Sequence, residues 1–309
     1  MSDKVGSTSK PQTLTLQQAL DLAVEHHQAG DLSRAENIYN QILQSDPNQT
    51  QALHLLGVIA YQSGNSEKAI ELIEKAITIN PEFFEALCNL GVVQNKLGYS
   101  DKAITSYQKA ISFKPDYAEA HCNLGVVQNK LGNSDKAIAS YQRAITFKPH
   151  YYEAHYNLGN VLKKISRFDE AILSYQKALS LWPDYADAHN NLGIILKEQG
   201  KFEEAVASCR KAVELKPNNF EAHNNLGNAL HGLERIKEAR DSYENALTIN
   251  PAYAAAHNNL GNIYQALGQS EEATASYNKA IEIQPDYSSA HYNLGNQLFV
   301  LKRLDEAAV

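Results

Sequence analysis

Histidine and cysteine are the residue types of this sequence that could most readily hold a metal ion or act as nucleophiles. The 309-residue chain contains eleven histidines and three cysteines. Six of the histidines follow one another at intervals of 34 residues: His121, His155, His189, His223, His257 and His291. If each interval is one helical layer, successive copies lie about 10 Å apart, whereas a metal ligand lies about 2 Å from its ion. We therefore predict no metal site and no cofactor, and we expect these histidines to pack between layers.

The cysteines and the known catalytic motifs give no sign of catalysis. Cys88 and Cys122 are also 34 residues apart, so their Cα atoms should lie beyond the roughly 7 Å that a disulfide spans. We interpret Cys209 as a small apolar residue of the core. The sequence has no HExxH, Walker A, GxGxxG or nucleophile-elbow motif. Because polar residue types are spread along the chain and do not converge on one place, we predict that the chain is not an enzyme.

Asparagine recurs with the same spacing and offers a different chemistry. Its carboxamide presents two donors and two acceptor lone pairs in one plane, so it can pair with both the N–H and the C=O of a passing peptide. Asparagine is a middling-to-poor helix former, and solubility alone would be met by lysine, glutamate or glutamine. The candidate peptide-binding residues are Asn89, Asn123, Asn157, Asn191, Asn225, Asn259 and Asn293, together with Asn160, Asn228, Asn262 and Asn296.

Glycine, proline and alanine show that the 34-residue spacing extends over nearly the whole chain. Eight glycines keep it from Gly57 to Gly295, and eight of the nine prolines keep it from Pro47 to Pro285. The length alone would suggest about two domains, but this periodicity indicates a single array of repeats. With the first of these glycines at repeat position 8, the repeats run over 16–49, 50–83, 84–117, 118–151, 152–185, 186–219, 220–253, 254–287 and a shortened 288–309.

Each repeat predicts two helices, which we call helix A and helix B. Mostly apolar residues at positions 3, 7, 10, 11 and 14 follow helical spacing and predict an amphipathic helix A. Glycine at position 15 suits a left-handed helix C-cap, and serines such as Ser66 and Ser100 at position 17 could cap the start of helix B. Proline at position 32 closes helix B. Stacked pairs of helices would bury a continuous core with contacts only between neighbours, so we predict an all-α fold.

This pattern resembles the tetratricopeptide repeat, and the resemblance covers residues 16–309. It implies a right-handed α-α superhelix, a solenoid of about nine helix-turn-helix repeats. It also implies that helix A lines the concave surface, where positions 2, 6, 9 and 13 face the groove. The asparagines at positions 6 and 9 would then form a ladder. At about 10 Å between helices and 3.3 Å per extended residue, seven rungs match about 18 peptide residues.

The resemblance implies a function of protein interaction. We predict a non-catalytic scaffold that binds extended peptide segments of protein clients through the asparagine ladder. The motif AHxNLGN, as at 154–160 and 222–228, is most similar to the repeats of protein O-linked N-acetylglucosamine transferases, whose superhelix presents substrate chains. The alternative is therefore the substrate-recognition region of such a glycosyltransferase, with its catalytic domain absent from this chain.

The asparagines could equally have no ligand: they were copied with the repeat, or they position the next helix through hydrogen bonds between repeats. A chaperone-type carboxylate clamp is disfavoured, because position 2 of successive repeats is acidic. The residues there are Glu85, Glu119, Glu153, Asp187 and Glu221.

Charge and hydropathy limit the partners and the location. The net charge of −7 does not suit a chain that neutralises nucleic-acid phosphates, and no stretch of about 18 apolar residues could span a membrane. With no secretory signal and few cysteines, we expect a cytoplasmic protein. Residues 1–15 are expected to form a disordered tail. The last repeat has no capping helix, so we expect either truncation of a longer chain or self-association through that repeat.

Overall fold

The computed structural model describes residues 14–301, and every regular element in that range is an α-helix. Most of the predicted tail and the end of the last repeat lie outside the described residues. The helices are α1 Leu16–Gln28, α2 Leu32–Ser45, α3 Thr50–Gln62, α4 Ser66–Ile79, α5 Phe84–Lys96, α6 Ser100–Phe113, α7 Ala118–Lys130, α8 Ser134–Phe147, α9 Tyr152–Lys164, α10 Phe168–Leu181, α11 Ala186–Glu198, α12 Phe202–Leu215, α13 Phe220–Gly232, α14 Ile236–Ile249, α15 Ala254–Ala266, α16 Ser270–Ile283 and α17 Ser288–Val300. The prediction of an all-α array of helix pairs is confirmed.

Helix A begins at the first residue of each predicted repeat. Helix A has 13 residues and helix B has 14, as in α3 and α4. The described helices form two compact units: α1 to α8, which we call unit 1, and α9 to α17, which we call unit 2. Within each unit, a helix A packs against the helix B of its own repeat and against the helix B of the preceding repeat, and the A helices from α3 onward also contact the helix A of the next repeat. The 34-residue period is therefore one layer of structure, which positions equivalent side chains on neighbouring helices.

The turn between helix A and helix B requires a left-handed residue at position 15. Six glycines occupy it with φ between 73° and 85°: Gly30, Gly64, Gly98, Gly132, Gly200 and Gly268. Ser166 and Glu234 occupy the same position with φ of 60° and 59°. The predicted left-handed C-cap is confirmed, and two repeats form it with a side chain that this conformation disfavours.

Replacing Glu234 with glycine should stabilise unit 2 by about 1 kcal/mol, because glycine reaches this conformation without a Cβ penalty. The Glu234 side chain is exposed, so little packing is lost. Gly200→Ala is the reciprocal control: its φ is 73° and a Cβ would have open space, so only the backbone penalty is added. Urea denaturation followed by circular dichroism measures both changes, and two shifts of the same sign would contradict the argument.

The predicted serine caps of helix B are wrong by one residue. Ser66 is the first helical residue, and the cap is Asn65, whose side chain accepts from the Lys68 N–H at 3.0 Å. Asp31 caps α2 in the same way through the Arg34 N–H. The left-handed residue takes up position 15, so the non-helical residue that can cap is position 16 and not position 17.

Helix A and helix B approach closely where glycine meets tyrosine. Gly227 faces the ring of Tyr243, and a Cβ built on the glycine would lie 2.5 Å from Tyr243 Cε1. The same pairing joins position 8 to position 24 in four other repeats, as between Gly91 and Tyr107. These tyrosines are at most 1% exposed, so glycine at position 8 makes room for the largest side chain in the core.

Candidate peptide-binding face

The seven asparagines at position 6 all lie on A helices and are all partly exposed. We call the surface formed by positions 5, 6, 9 and 12 of the A helices the ladder face. Asn89 and Asn123 belong to unit 1, and the other five, from Asn157 to Asn293, belong to unit 2. Each unit is described separately below.

In unit 2, four of the five position-6 amide groups, those of Asn191, Asn225, Asn259 and Asn293, donate hydrogen bonds to the preceding repeat. Asn259 Nδ2 donates to Asn224 Oδ1 at 3.0 Å and to Asn228 Oδ1 at 3.0 Å. The next rung repeats the arrangement: Asn293 Nδ2 donates to Asn258 Oδ1 at 2.9 Å and to Asn262 Oδ1 at 3.1 Å. The asparagines therefore join successive repeats through hydrogen bonds, which is the positioning role that their spacing left open.

The position-9 asparagines accept a second hydrogen bond from the core. Tyr277 OH donates to Asn262 Oδ1 at 2.8 Å, and Tyr243 OH donates to Asn228 Oδ1 at 2.9 Å. The Tyr175 hydroxyl donates to Asn160 Oδ1 at 2.7 Å. Each of these carboxamide oxygens thereby receives two donors, which matches its two lone pairs.

We call the hydrogen bonds between a position-6 asparagine and the preceding repeat a joint. The Asn293 joint leaves one donor group and one acceptor group unpaired on the ladder face, whereas at the Asn259 joint Asn259 Oδ1 accepts from Asn258 Nδ2 at 3.4 Å. Among residues 14–301, the Nδ2 groups of Asn228 and Asn262 have no hydrogen-bond partner, and neither do the Oδ1 atoms of Asn225 and Asn293. A peptide unit needs one acceptor for its N–H and one donor for its C=O. The face therefore presents the complement of a backbone amide.

Two joints of unit 2 depart from this arrangement. Asn191 donates to Asn160 Oδ1 and Tyr156 OH, and its own Oδ1 accepts from Lys163 Nζ at 2.8 Å. Burial lowers the pKa of the Lys163 amine, while the charge of Glu198 opposes this shift. At the other irregular joint, Asn225 Nδ2 donates only to Asn190 Oδ1.

Unit 1 uses different partners at position 5. Asn89 Nδ2 lies 2.7 Å from His54 Nε2, and Asn123 Nδ2 lies 3.7 Å from Cys88 Sγ. Asn296, by contrast, is exposed and makes none of the ladder bonds described here. The sequence pattern did not assign position 5 as the acceptor of the ladder bonds, although Asn190, Asn224 and Asn258 recur there.

His54 is buried, and it is held neutral. Burial, followed by the charge of His27, lowers the pKa of His54 from 6.5 to about 4. Its Nε2 can therefore accept from Asn89 Nδ2. Because the unfolded chain binds a proton at His54 more readily than the folded chain does, stability falls as the pH drops from the unfolded pKa towards the folded one.

We expect His54 to cost unit 1 about 2 kcal/mol of stability between neutral pH and about pH 5. In His54→Gln, the side-chain oxygen keeps the acceptor for Asn89 but cannot titrate. Urea denaturation at both pH values should show a smaller loss for His54→Gln than for the wild type. Equal losses would show that His54 is not the group responsible.

Five of the periodic histidines close the turn between repeats. Each ring Nε2 donates to the proline carbonyl six residues earlier, as in His189 to Pro183 at 2.8 Å and His257 to Pro251 at 3.0 Å. His121, His223 and His291 make the equivalent bond. His223 is buried, whereas His121, His189 and His257 are partly exposed and His291 is exposed, so the bond to the loop carbonyl, and not burial between layers, is what the five share. Among residues 14–301, no group of three His, Cys, Asp or Glu side chains is arranged to hold a metal ion.

The cysteines lie in the interior and show no activation. All three are buried thiols. Burial raises the pKa of Cys88 to about 11 and that of Cys209 to about 12. A thiol with a raised pKa is a poor nucleophile at neutral pH, because the reactive form is the thiolate.

The helix pairs and the ladder face define an array of interaction repeats, and the comparisons with known proteins identify the family. Tetratricopeptide-repeat models match residues 26–87, 118–151, 156–220 and 208–241, and a TPR-repeat model matches 100–132, 233–268 and 261–299. Together these matches cover most of the sequence, so the chain belongs to the tetratricopeptide-repeat family. They do not point to glycosyltransferases in particular.

Several solved structures share the fold. The TPR protein YrrB, described as having an unusual peptide-binding site, is 27% identical with a TM-score of 0.54, over 60% of this chain and 96% of YrrB. One chain of the APC/C hetero-tetramer Cut9-Hcn1 is 19% identical with a TM-score of 0.63, and the match covers 86% of this chain but 52% of that one. PilF of Pseudomonas aeruginosa is 19% identical with a TM-score of 0.60, over 68% and 95%. Comparison with curated protein sequences gives no significant match.

Within residues 14–301, none of the helices has both the length and the apolar character needed to cross a lipid bilayer.

Proposed function

We propose that this tetratricopeptide-repeat chain is a non-catalytic scaffold that binds extended peptide segments along the ladder face. The observation that carries the proposal is the pairing of one unbonded donor with one unbonded acceptor at the last joint of unit 2. Asn262 offers its Nδ2, and Asn293 in the next repeat offers its Oδ1. Because these groups match a backbone amide, the bound segment would be held by its main chain, with little selection of side chains.

The hydrogen bonds between repeats support this function, because they fix the carboxamides in advance. The amides of Asn191, Asn225, Asn259 and Asn293 are held by their donated bonds. The oxygens of Asn160, Asn228 and Asn262 are each held by a tyrosine and by the asparagine of the next repeat. A preorganised side chain loses little conformational entropy when a ligand binds. Five rungs in unit 2 span about 40 Å at 10 Å each, which is the length of about 12 extended residues.

The proposal predicts that position-9 aspartates block binding without unfolding the chain. The substitutions Asn160→Asp, Asn228→Asp and Asn262→Asp keep an oxygen for the tyrosine and for the next rung. They replace the outward NH₂ group with an anionic oxygen, which repels a peptide carbonyl. We expect the triple variant to bind peptides at least about ten-fold more weakly. The peptides would be selected from a random library on the wild-type chain and measured by fluorescence anisotropy.

A matched control adds the same charge elsewhere. Asn218, Asn245 and Asn278 are exposed and lie outside helix A, so their change to aspartate should leave binding intact. N-methylation of the peptide provides a second test, because it removes the backbone N–H groups that the position-6 oxygens would accept. Unchanged affinity for N-methylated peptides would contradict a main-chain mode of binding.

The transferase alternative, in which these repeats present substrates to a glycosyltransferase domain, rests on the AHxNLGN repeats. It predicts a catalytic domain encoded downstream of codon 309, so sequencing the gene beyond that point tests it.

A further inference from the structure

A cavity of about 490 Å³ opens in unit 1 beside the first rung of the ladder face. It lies against helix α3 and the start of helix α5. Two rings form part of its wall: His54 and Phe83, whose centroids are 4.9 Å apart in an edge-to-face arrangement. Leu55 lines it at repeat position 6, where the other rungs carry asparagine. The first rung of the ladder face therefore lies beside a cavity that can hold a side chain of a bound segment.

Comparison between repeats shows why the cavity is open. In the repeat 152–185, the equivalent place is filled by four aromatic rings at positions 1, 5, 31 and 34: Tyr152, Tyr156, Trp182 and Tyr185. In the repeat 50–83, position 1 is Thr50 and position 31 is Asn80. The pair His54–Phe83 retains the contact of Tyr156–Tyr185, whose centroids are 4.6 Å apart. The two outer rings are missing, so a flat group of similar size would fit there.

The negative charge of Glu85 favours a flat group that is positively charged. Glu85 lies on its wall and is partly exposed. The equivalent carboxylates in two other repeats are neutralised: Lys148 Nζ lies 2.7 Å from Glu119, and Lys216 Nζ lies 2.9 Å from Asp187. Among residues 14–301, Glu85 forms no ion pair. No lysine or arginine lines the cavity.

Lys114, the lysine nearest in sequence position to this role, lies over aromatic rings. Lys114 occupies the position equivalent to Lys148 and Lys216, but its Nζ lies 4.6 Å from the centroid of the Phe84 ring and 5.6 Å from that of Tyr117. Glu85 therefore keeps an unneutralised carboxylate beside two rings. Since His54 is neutral above about pH 4, the imidazole adds no positive charge to oppose a bound cation.

We propose that this cavity binds an arginine side chain of a client segment, with the guanidinium plane against the rings of His54 and Phe83 and its N–H groups on the Glu85 carboxylate. Guanidinium is planar, stacks on aromatic faces and pairs with carboxylates through two N–H groups, which an ammonium cannot do. The inference rests on the proposed function, because the Asn89 rung beside the cavity would deliver the segment. It adds a preference for one side chain at the start of the ladder in unit 1.

The test uses fluorescein-labelled peptides of about 13 residues, the length that spans a few rungs. They consist of serine and glycine with one central residue, which is arginine, citrulline, lysine or phenylalanine. Citrulline keeps the shape of arginine without its charge. Anisotropy titrations should give about ten-fold tighter binding for arginine than for citrulline or lysine. Glu85→Gln should remove this preference, and Thr50→Tyr should also remove it by restoring one of the missing rings.

Asp187→Asn is the matched control, since it makes the same type of change where the space is already filled by rings, and it should leave the preference for arginine intact. Equal binding of arginine and citrulline, tighter binding of phenylalanine, or a preference that survives Glu85→Gln would overturn the proposal. The ladder is judged separately by N-methylating the citrulline peptide. If that peptide loses affinity while no preference for arginine exists, the cavity assignment fails and the scaffold function stands. If the preference for arginine exists without any effect of N-methylation, the cavity assignment stands and binding through the peptide main chain fails.

Discussion

Replacing Gly227 with alanine should destabilise unit 2 by about 3 kcal/mol, because an added methyl group must displace a packed ring. The new Cβ would lie 2.5 Å from Tyr243 Cε1, and the ring is 1% exposed, so it has little room to move. Any shift of the ring also strains the bond from its hydroxyl to Asn228 Oδ1 at 2.9 Å. In an unconstrained helix the same change would stabilise by about 1 kcal/mol. Urea denaturation followed by circular dichroism measures the difference.

The control for this prediction is the same substitution in a Tyr243→Leu background. The smaller leucine side chain leaves room beside the added methyl group, so Gly227→Ala should cost less there than in the wild type. If the substitution costs the same in both backgrounds, the close approach of Gly227 to Tyr243 is not the cause.

Replacing Asn259 with aspartate should destabilise unit 2 by about 3 kcal/mol, because it turns a donor into an acceptor at a joint. Asn259 Nδ2 donates to two oxygens, Asn224 Oδ1 and Asn228 Oδ1, each at 3.0 Å. A carboxylate at position 259 has no N–H to donate, so its oxygens would face the oxygens of Asn224 and Asn228 without a hydrogen bond. Thermal and urea denaturation of the variant should show the loss, and its far-UV spectrum should still be helical.

The deficit of Asn259→Asp should shrink as the pH falls. Two facing oxygens raise the folded pKa of the new carboxyl above its unfolded value of about 3.9. The penalty is therefore fully present above the folded pKa and fades below it, where a protonated carboxyl can donate one hydrogen bond.

The control for this prediction is the same substitution in unit 1. Asn123 Nδ2 has only Cys88 Sγ as its acceptor, at 3.7 Å. Sulfur accepts weakly, so Asn123→Asp should cost less than about 1 kcal/mol. A loss as large as that of Asn259→Asp would mean that burial of charge, and not the loss of paired donors, sets the effect.

The turn between helix A and helix B and the end of helix B could be predicted from the sequence, because they depend on local properties. Glycine at position 15 adopts the left-handed turn, and proline at position 32 follows the end of helix B, so both features are encoded within a few residues. The prediction for the cap of helix B was wrong by one residue, because the helix begins directly after the turn: Asn65 is the cap and Ser66 is already helical.

The direction of the ladder bonds could not be predicted, because it depends on side chains 31 and 35 residues apart. The sequence shows asparagine at positions 5, 6 and 9, but not that Asn293 donates to both Asn258 and Asn262. Nor does it show that Lys163 reaches Asn191. The open cavity in unit 1 was also missed, because it becomes visible only when Thr50 is compared with a ring at the equivalent place in another layer.

The joints restrict the order in which layers can be rearranged during evolution. A rung such as Asn259 needs an oxygen at position 5 of the layer before it, supplied there by Asn224, whereas Asn123 is preceded by the thiol of Cys88. When a layer is duplicated next to itself, the hydrogen bond is preserved only if that layer has both the donor at position 6 and the acceptor at position 5. Shuffled arrays of these 34-residue modules should therefore assemble well or poorly according to which neighbours are joined, even though every module folds into the same pair of helices.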